Sequence, residues 1–201
     1  MKNPEHRIQH DPKRPPRFSH MGFAAGLLLL SLNAEPAQAR DPVPFNARAG
    51  LDIAEAAARS WSPDAFLVYL ENDDELDMKG EASRWGYLFY SPSSERARIY
   101  SVRDGKILVA EFLELKLEAP PVSAHWIDSG AALEAAERSA GRAFRAKHQG
   151  RLRTMLLMRG AFQDDVPDQT TWTLIYSSPG APSLFVVVDA SAGKVRKTWR
   201  G

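Results

Sequence analysis

Cysteine is absent from all 201 residues. That single absence excludes disulfides, thiolate metal sites and cysteine nucleophiles together. It also excludes the acylated cysteine on which a bacterial lipoprotein is anchored. Histidine is nearly absent beyond the N-terminal region, where only His125 and His148 remain. They are far apart in the chain, and neither sits in a spacing that would put two ligands on one helix face. No G-x-S-x-G elbow, P-loop or dinucleotide fingerprint occurs. Long apolar runs are missing as well. The longest candidate, Gly22 to Leu32, falls short of the roughly 20 residues a membrane-spanning helix needs. Neither sign of charge dominates. After residue 39 the chain has 21 Lys and Arg against 22 Asp and Glu, so no strong net field draws in nucleic acid or an anionic membrane.

What is present begins with an address. Lys13, Arg14 and Arg17 precede the apolar run, and Ala37-Gln38-Ala39 follows it as a small-x-small site. A basic segment, a short apolar segment and a cleavage site in that order are a secretory signal. The expectation is a signal peptide over 1–39, cleavage after Ala39, and a periplasmic or secreted chain without stable membrane insertion. Retention of the apolar run as an anchor is the alternative. An apolar content of 44% and a charged content of 25% place the remainder among globular proteins.

The chain then writes one strand twice. "RWGYLFYSP" (84–92) and "TWTLIYSSP" (171–179) align without a gap on Trp, an apolar pair, an aromatic and Ser-Pro. The surroundings repeat in order. "NARAGLDIAEAAARSWSP" reads as an Ala-rich helix, with Asn46 as N-cap, Ile53, Ala57 and Trp61 on its apolar stripe beside Ala54 and Ala58, and Ser62-Pro63 as its stop. "AFLVYLEN", "RWGYLFYS", "RARIYSV" and "KILVAEFLELKL" read as strands, with Asp104-Gly105 as a hairpin turn. After the proline-broken linker 118–124, "DSGAALEAAERSAGRAFRAKH" is a second helix capped by Asp128 or Ser129. "RLRTMLLMRG", "TTWTLIYSS", "LFVVVDA" and "KVRKTW" are four more strands. The expected fold class is α+β: two tandem units, 45–117 and 125–201, each one helix packed on its own antiparallel sheet of about four strands.

Side chains alternate along a strand. Trp85, Tyr87 and Phe89 therefore share one side with Trp172, Leu174 and Tyr176, the side expected to pack on the helices. Leu88, Tyr90 and Ile175 point the other way. That second face is also apolar and needs a cover. The expectation is that the two units pack face to face and bury Leu88 against Ile175 about an approximate two-fold axis. If the face stays open, Leu88, Tyr90 and Ile175 are instead partner contacts.

The segment "LFVVVDASAGKV" (184–195) resembles the closing hairpin of a PepSY-type domain, and "AALEAAERSAG" (131–141) fits the helix that opens such domains. The resemblance extends more weakly over 45–117, where "SVRDGKIL" has a shortened turn. It implies an exported, non-catalytic module that binds or inhibits a protein or peptide, a secreted peptidase being one such partner. It transfers no catalytic residue and no cofactor.

The remaining candidates are acidic. Glu71, Asp73, Asp74, Glu75 and Asp77 crowd the loop 71–77, and Asp164, Asp165 and Asp168 occupy the loop 164–168. The first resembles a calcium loop, but Gly80 is misplaced for an EF-hand. A solvated loop is one reading of Asp73, Asp74 and Asp77. The other is a periplasmic small-molecule or metal-ion binding protein, or a basic-peptide binder, using these loops. Paired carboxylates occur only in loops, where nothing desolvates them for acid–base work, so no enzyme is expected.

Overall fold

The computed structural model describes residues 41–113, 119–160 and 168–201. The expected signal peptide, 1–39, and Asp164 and Asp165 lie outside the described residues. The unit Arg40–Gly201 holds α1 (Leu51–Trp61), β1 (Phe66–Asn72), β2 (Trp85–Ser91), β3 (Arg96–Arg103) and β4 (Lys106–Phe112). A helical rod follows, in which α2 (Ser129–Ala136) runs through a π-helical turn (Glu137–Gly141) into α3 (Arg142–His148). Then come β5 (Arg151–Arg159), β6 (Thr170–Ser178), β7 (Ala181–Asp189) and β8 (Val195–Arg200).

The order of elements follows the sequence pattern, but the architecture does not. Two separate helix-on-sheet units were expected. All eight strands instead form one antiparallel sheet, β4-β3-β2-β1-β5-β6-β7-β8, so the fold is mostly β, with two helices on one face. The join is the antiparallel pairing of β1 with β5 through Tyr69↔Met158, Leu70↔Leu157 and Glu71↔Leu156. The Asn72 side chain prolongs it. Its Nδ2 donates to the Arg153 carbonyl at 3.1 Å and its Oδ1 accepts from the Met155 N–H at 2.7 Å. An amide side chain thus does what a backbone peptide would do one step further along the ladder. Pairing β1 with β5 removes two open edges, which an isolated sheet would have to protect by other means.

One core lies between the sheet and the helices. It contains Trp85, Tyr87 and Phe89 from β2, Trp172, Leu174 and Tyr176 from β6, Leu51, Ala54 and Ala58 from α1, and Ala132, Leu133 and Ala136 from α2. The stripe of α1 centres on Leu51, Ala54 and Ala58, which are buried, while Ile53, Ala57 and Trp61 pack at its margin and are only partly so. Asn46 does not cap α1, whose N-cap is Gly50. A turn intervenes, with Ala49 N–H on the Asn46 carbonyl. Asp128 does cap α2 by accepting from Ser129 N–H. Strand β4 is Lys106–Phe112, and 114–117 of the expected longer strand lie outside the described residues. Residues of the expected linker are tied to the sheet, because Val122 N–H donates to the Leu67 carbonyl and Ser123 N–H to Thr170 Oγ1.

The expected face-to-face burial of Leu88 and Ile175 does not occur. They sit on β2 and β6, three strand spacings apart in one sheet, and the register sets Leu88 level with Thr171 rather than Ile175, so more than roughly 14 Å separates them. Leu88 finds its cover locally. A bulge in β1 between Leu67 and Tyr69 turns Val68 toward the second face. There Val68, Leu88 and Ala97 form a small buried cluster edged by Tyr90, Phe66 and Ile99. Ile175 is half-buried and pairs with Phe185, which stacks on Trp199 at 4.8 Å. Leu88→Ala is therefore expected to cost about 2–3 kcal/mol. Ile175→Ala should cost less than half as much, because less of its surface is removed from water. Urea denaturation of both variants measures the difference, and equal losses would contradict this account of the second face.

Candidate functional site

The loop 72–78 leaves β1 at the sheet's join and folds back beside the helical rod. Its turn is built on Asp77, whose Oδ1 accepts from the N–H of Lys79 at 2.8 Å and of Glu81 at 2.9 Å. Gly80 follows with φ +76°, and a Cβ there would stand 3.0 Å from the Ser129 carbonyl oxygen. Glycine thus allows both the left-handed turn and the close approach to α2. Between this loop, the rod and the start of β5 lies a cavity of about 630 Å³. A second cavity of about 520 Å³ continues it along the rod, sharing Met78, Leu133, Glu137 and Arg145. The two form one groove.

Its acidic wall is not a free set of carboxylates. Asp73 accepts from the Ser101 hydroxyl and lies 3.6 Å from Arg84 Nε. Asp74 accepts from Ser83 Oγ and Arg103 Nη2, each at 2.5 Å, and lies 3.2 Å from Arg84 Nη2. Burial pushes the Asp74 carboxyl up, but the bonds from Ser83 and Arg103 and the charge of Arg84 outweigh it and hold it below the usual range. The sequence pattern made this loop look like a cation site. The structure commits Asp73 and Asp74 to Arg84, Arg103 and two serines, and Asp77 to its own turn. Among the described residues no group of three His, Asp or Glu could hold a metal ion.

The opposite wall is the π-helical turn. Glu137 receives Arg145 at two nitrogens, Nη2 at 2.6 Å and Nε at 3.2 Å. Eight residues along an α-helix advance about 80° past two full turns. The extra residue of the π-turn brings Arg145 back onto the face of Glu137. Gly141 makes room beneath, since a Cβ there would lie 2.5 Å from the Tyr176 hydroxyl and 2.8 Å from Glu137 Oε1. Burial, then the adjacent Glu137 charge, pushes the Tyr176 hydroxyl well above the usual range. The bidentate bond to Glu137 raises Arg145 in turn. Sequence reasoning placed Tyr176 on the helix-facing side of β6 but missed the Glu137–Arg145 pair above it. The signal available was the glycine inside "ERSAGRAFR", but the tyrosine that needs the space lies on another element.

The candidates from sequence thus fall in two places. Asp73, Asp74 and Asp77 rim the groove. Leu88, Tyr90 and Ile175 lie on the second face of the sheet and do not enter it. His148 ends α3, where the helix dipole favours the charged imidazole. Desolvation, then the nearby Arg200 and Lys147 charges, lower it instead. Ser62, Ser91 and Ser93 gather on Asp64. The bonds from Ser62, Ser91 and Ser93 hold that carboxylate far below its usual range.

No protein-family model matches the chain, and no curated protein sequence matches it. Among solved structures it is similar to a Clostridium difficile 630 protein provisionally described as a lipoprotein. The TM-score is 0.51 and the identity 14%, over 76% of this chain and 93% of that one. At that identity the likeness concerns the fold alone.

Proposed function

We propose that this chain is an exported, non-catalytic binding module of PepSY-like type, and that its groove holds a segment of a protein or peptide partner. The groove itself carries the reading: two adjoining cavities of about 630 and 520 Å³ with a rim of charged side chains and an apolar floor that includes Leu133. A recess of that size suits an extended segment, and pockets of this kind are largely pre-formed. Export rests on the segment 1–39, and the structural neighbour's description as a lipoprotein agrees with a destination beyond the cytoplasm. Lipid anchoring does not follow, because this chain has no cysteine to acylate. The carboxylates of the groove committed to internal partners support binding rather than chemistry.

A photo-crosslinking residue at Met78, which is 63% exposed on the groove's rim, tests the reading. Irradiation in the exported fraction should yield a discrete protein adduct. The same residue at Leu108, exposed on the outer strand β4, serves as the control. Adducts from Leu108 and none from Met78 would overturn the groove as the binding site.

A further inference from the structure

The acidic look of the loop 71–77 suggests a cationic ligand, but the pairing of charges around the groove says the opposite. Arg84 and Arg103, from outside the groove, neutralise Asp73 and Asp74. Within it, Glu137 is taken by Arg145, Glu134 by Arg138 and Glu75 by Arg153. Asp77 accepts from two backbone N–H groups at one oxygen and keeps its charge, the single unpaired carboxylate of the groove lining among the described residues. Three cations on the groove wall are then left over. The side chains of Lys79, Arg142 and Arg151 have no acidic partner among the described residues. Each guanidinium offers five donors and no acceptor. Arg145 still has Nη1 to give after its bonds to Glu137.

The wider charge distribution agrees. Residues 41–113 contain eight basic against thirteen acidic side chains, and residues 119–201 contain eleven against seven. A near-zero total therefore conceals two halves of opposite sign, and the rod and β5 belong to the basic one.

We infer that the groove binds an acidic peptide, with side-chain or terminal carboxylates held by Arg142, Arg151 and Lys79 and apolar side chains on Leu133 and Leu152. This rests on the binding reading above and gives the partner its chemistry. Arginine suits the task, since its fork takes a carboxylate through two parallel bonds.

Labelled oligoglutamate and oligolysine peptides of equal length, titrated into the protein purified from the exported fraction, test the inference by fluorescence anisotropy. Oligoglutamate should bind, and more weakly as salt is raised. The double variant Arg142→Glu/Arg151→Glu should weaken it at least about tenfold. Both positions are exposed, so the fold should survive, and a circular dichroism melt checks it. Glu75→Gln frees Arg153 and should tighten binding about two- to threefold. Preference for oligolysine, unchanged affinity in the double variant, or no binding of either peptide would overturn the inference. If Met78 still crosslinks a partner when neither peptide binds, only the ligand chemistry is wrong. If Met78 captures nothing either, the binding reading itself falls.

Discussion

Trp172→Ala is expected to lower the stability of the protein by about 3–5 kcal/mol. Trp172 is fully buried, on β6 in the core between the sheet and the helices. Its ring meets Trp85 edge to face at 6.3 Å and Trp126 at 5.9 Å, and its Nε1 donates to the Ile127 carbonyl at 2.8 Å. Truncation leaves a cavity between β6 and β2 and strips that carbonyl of its donor. Against a total of about 5–15 kcal/mol for a domain this is a large share. Trp85, also fully buried, donates to the Phe45 carbonyl at 2.8 Å in the same way. The double variant should lose less than the sum of the two single losses, because each removal relaxes the other's neighbour. Additive losses in denaturant titrations would show that the rings do not share one core.

Asp189→Ala is expected to cost about 3–5 kcal/mol, because it removes one partner from a buried charged network. The side chain is 2% exposed. It accepts from Ser191 N–H at 2.9 Å, Ala192 N–H at 3.0 Å, Ser191 Oγ at 2.8 Å, Gln169 Nε2 at 2.7 Å and Arg196 Nη2 at 2.5 Å. These bonds shape the turn between β7 and β8, in which Gly193 takes φ +65°. Burial pushes the carboxyl up, but the bonds from Ser191, Arg196 and the two backbone N–H groups together hold it at about 2. Its folded value is thus below the unfolded one of about 3.9. The stabilisation is present in full above about pH 4 and is lost as pH falls toward 2. Asp189→Asn should flatten the acid limb of the stability profile, and a profile unchanged between pH 5 and pH 2 would contradict the role given to this carboxylate.

The same residue shows what a local motif carries. "LFVVVDASAGKV" announces a strand, a turn and a strand, and three of the five bonds of Asp189, those from Ser191 and Ala192, lie within it. Such features depend on neighbours a few residues away, so the strands, the Asp104-Gly105 turn and the Asp128 cap were all legible. So was the side of β2 and β6 that faces the helices, because alternation assigns it. The groove was legible only in part. The acidic loop was visible, but its partners were not. Arg84 and Arg103 lie 11 and 29 residues beyond the aspartates they hold, and no periodicity connects them.

By itself the chain determined the elements, their order and their buried sides, because propensity, capping and alternation act over a few residues. Tertiary structure decided how the elements assemble. A strand such as "FLVYLEN", apolar on both faces, reads the same whether its outer edge is open or paired. Only the meeting of β1 with β5, prolonged by Asn72, turned two expected sheets into one. The same meeting placed Leu88 and Ile175 on one face rather than against each other. Charge followed the same rule: the sequence counts the carboxylates, but contacts between distant segments determine which charges are left for a partner.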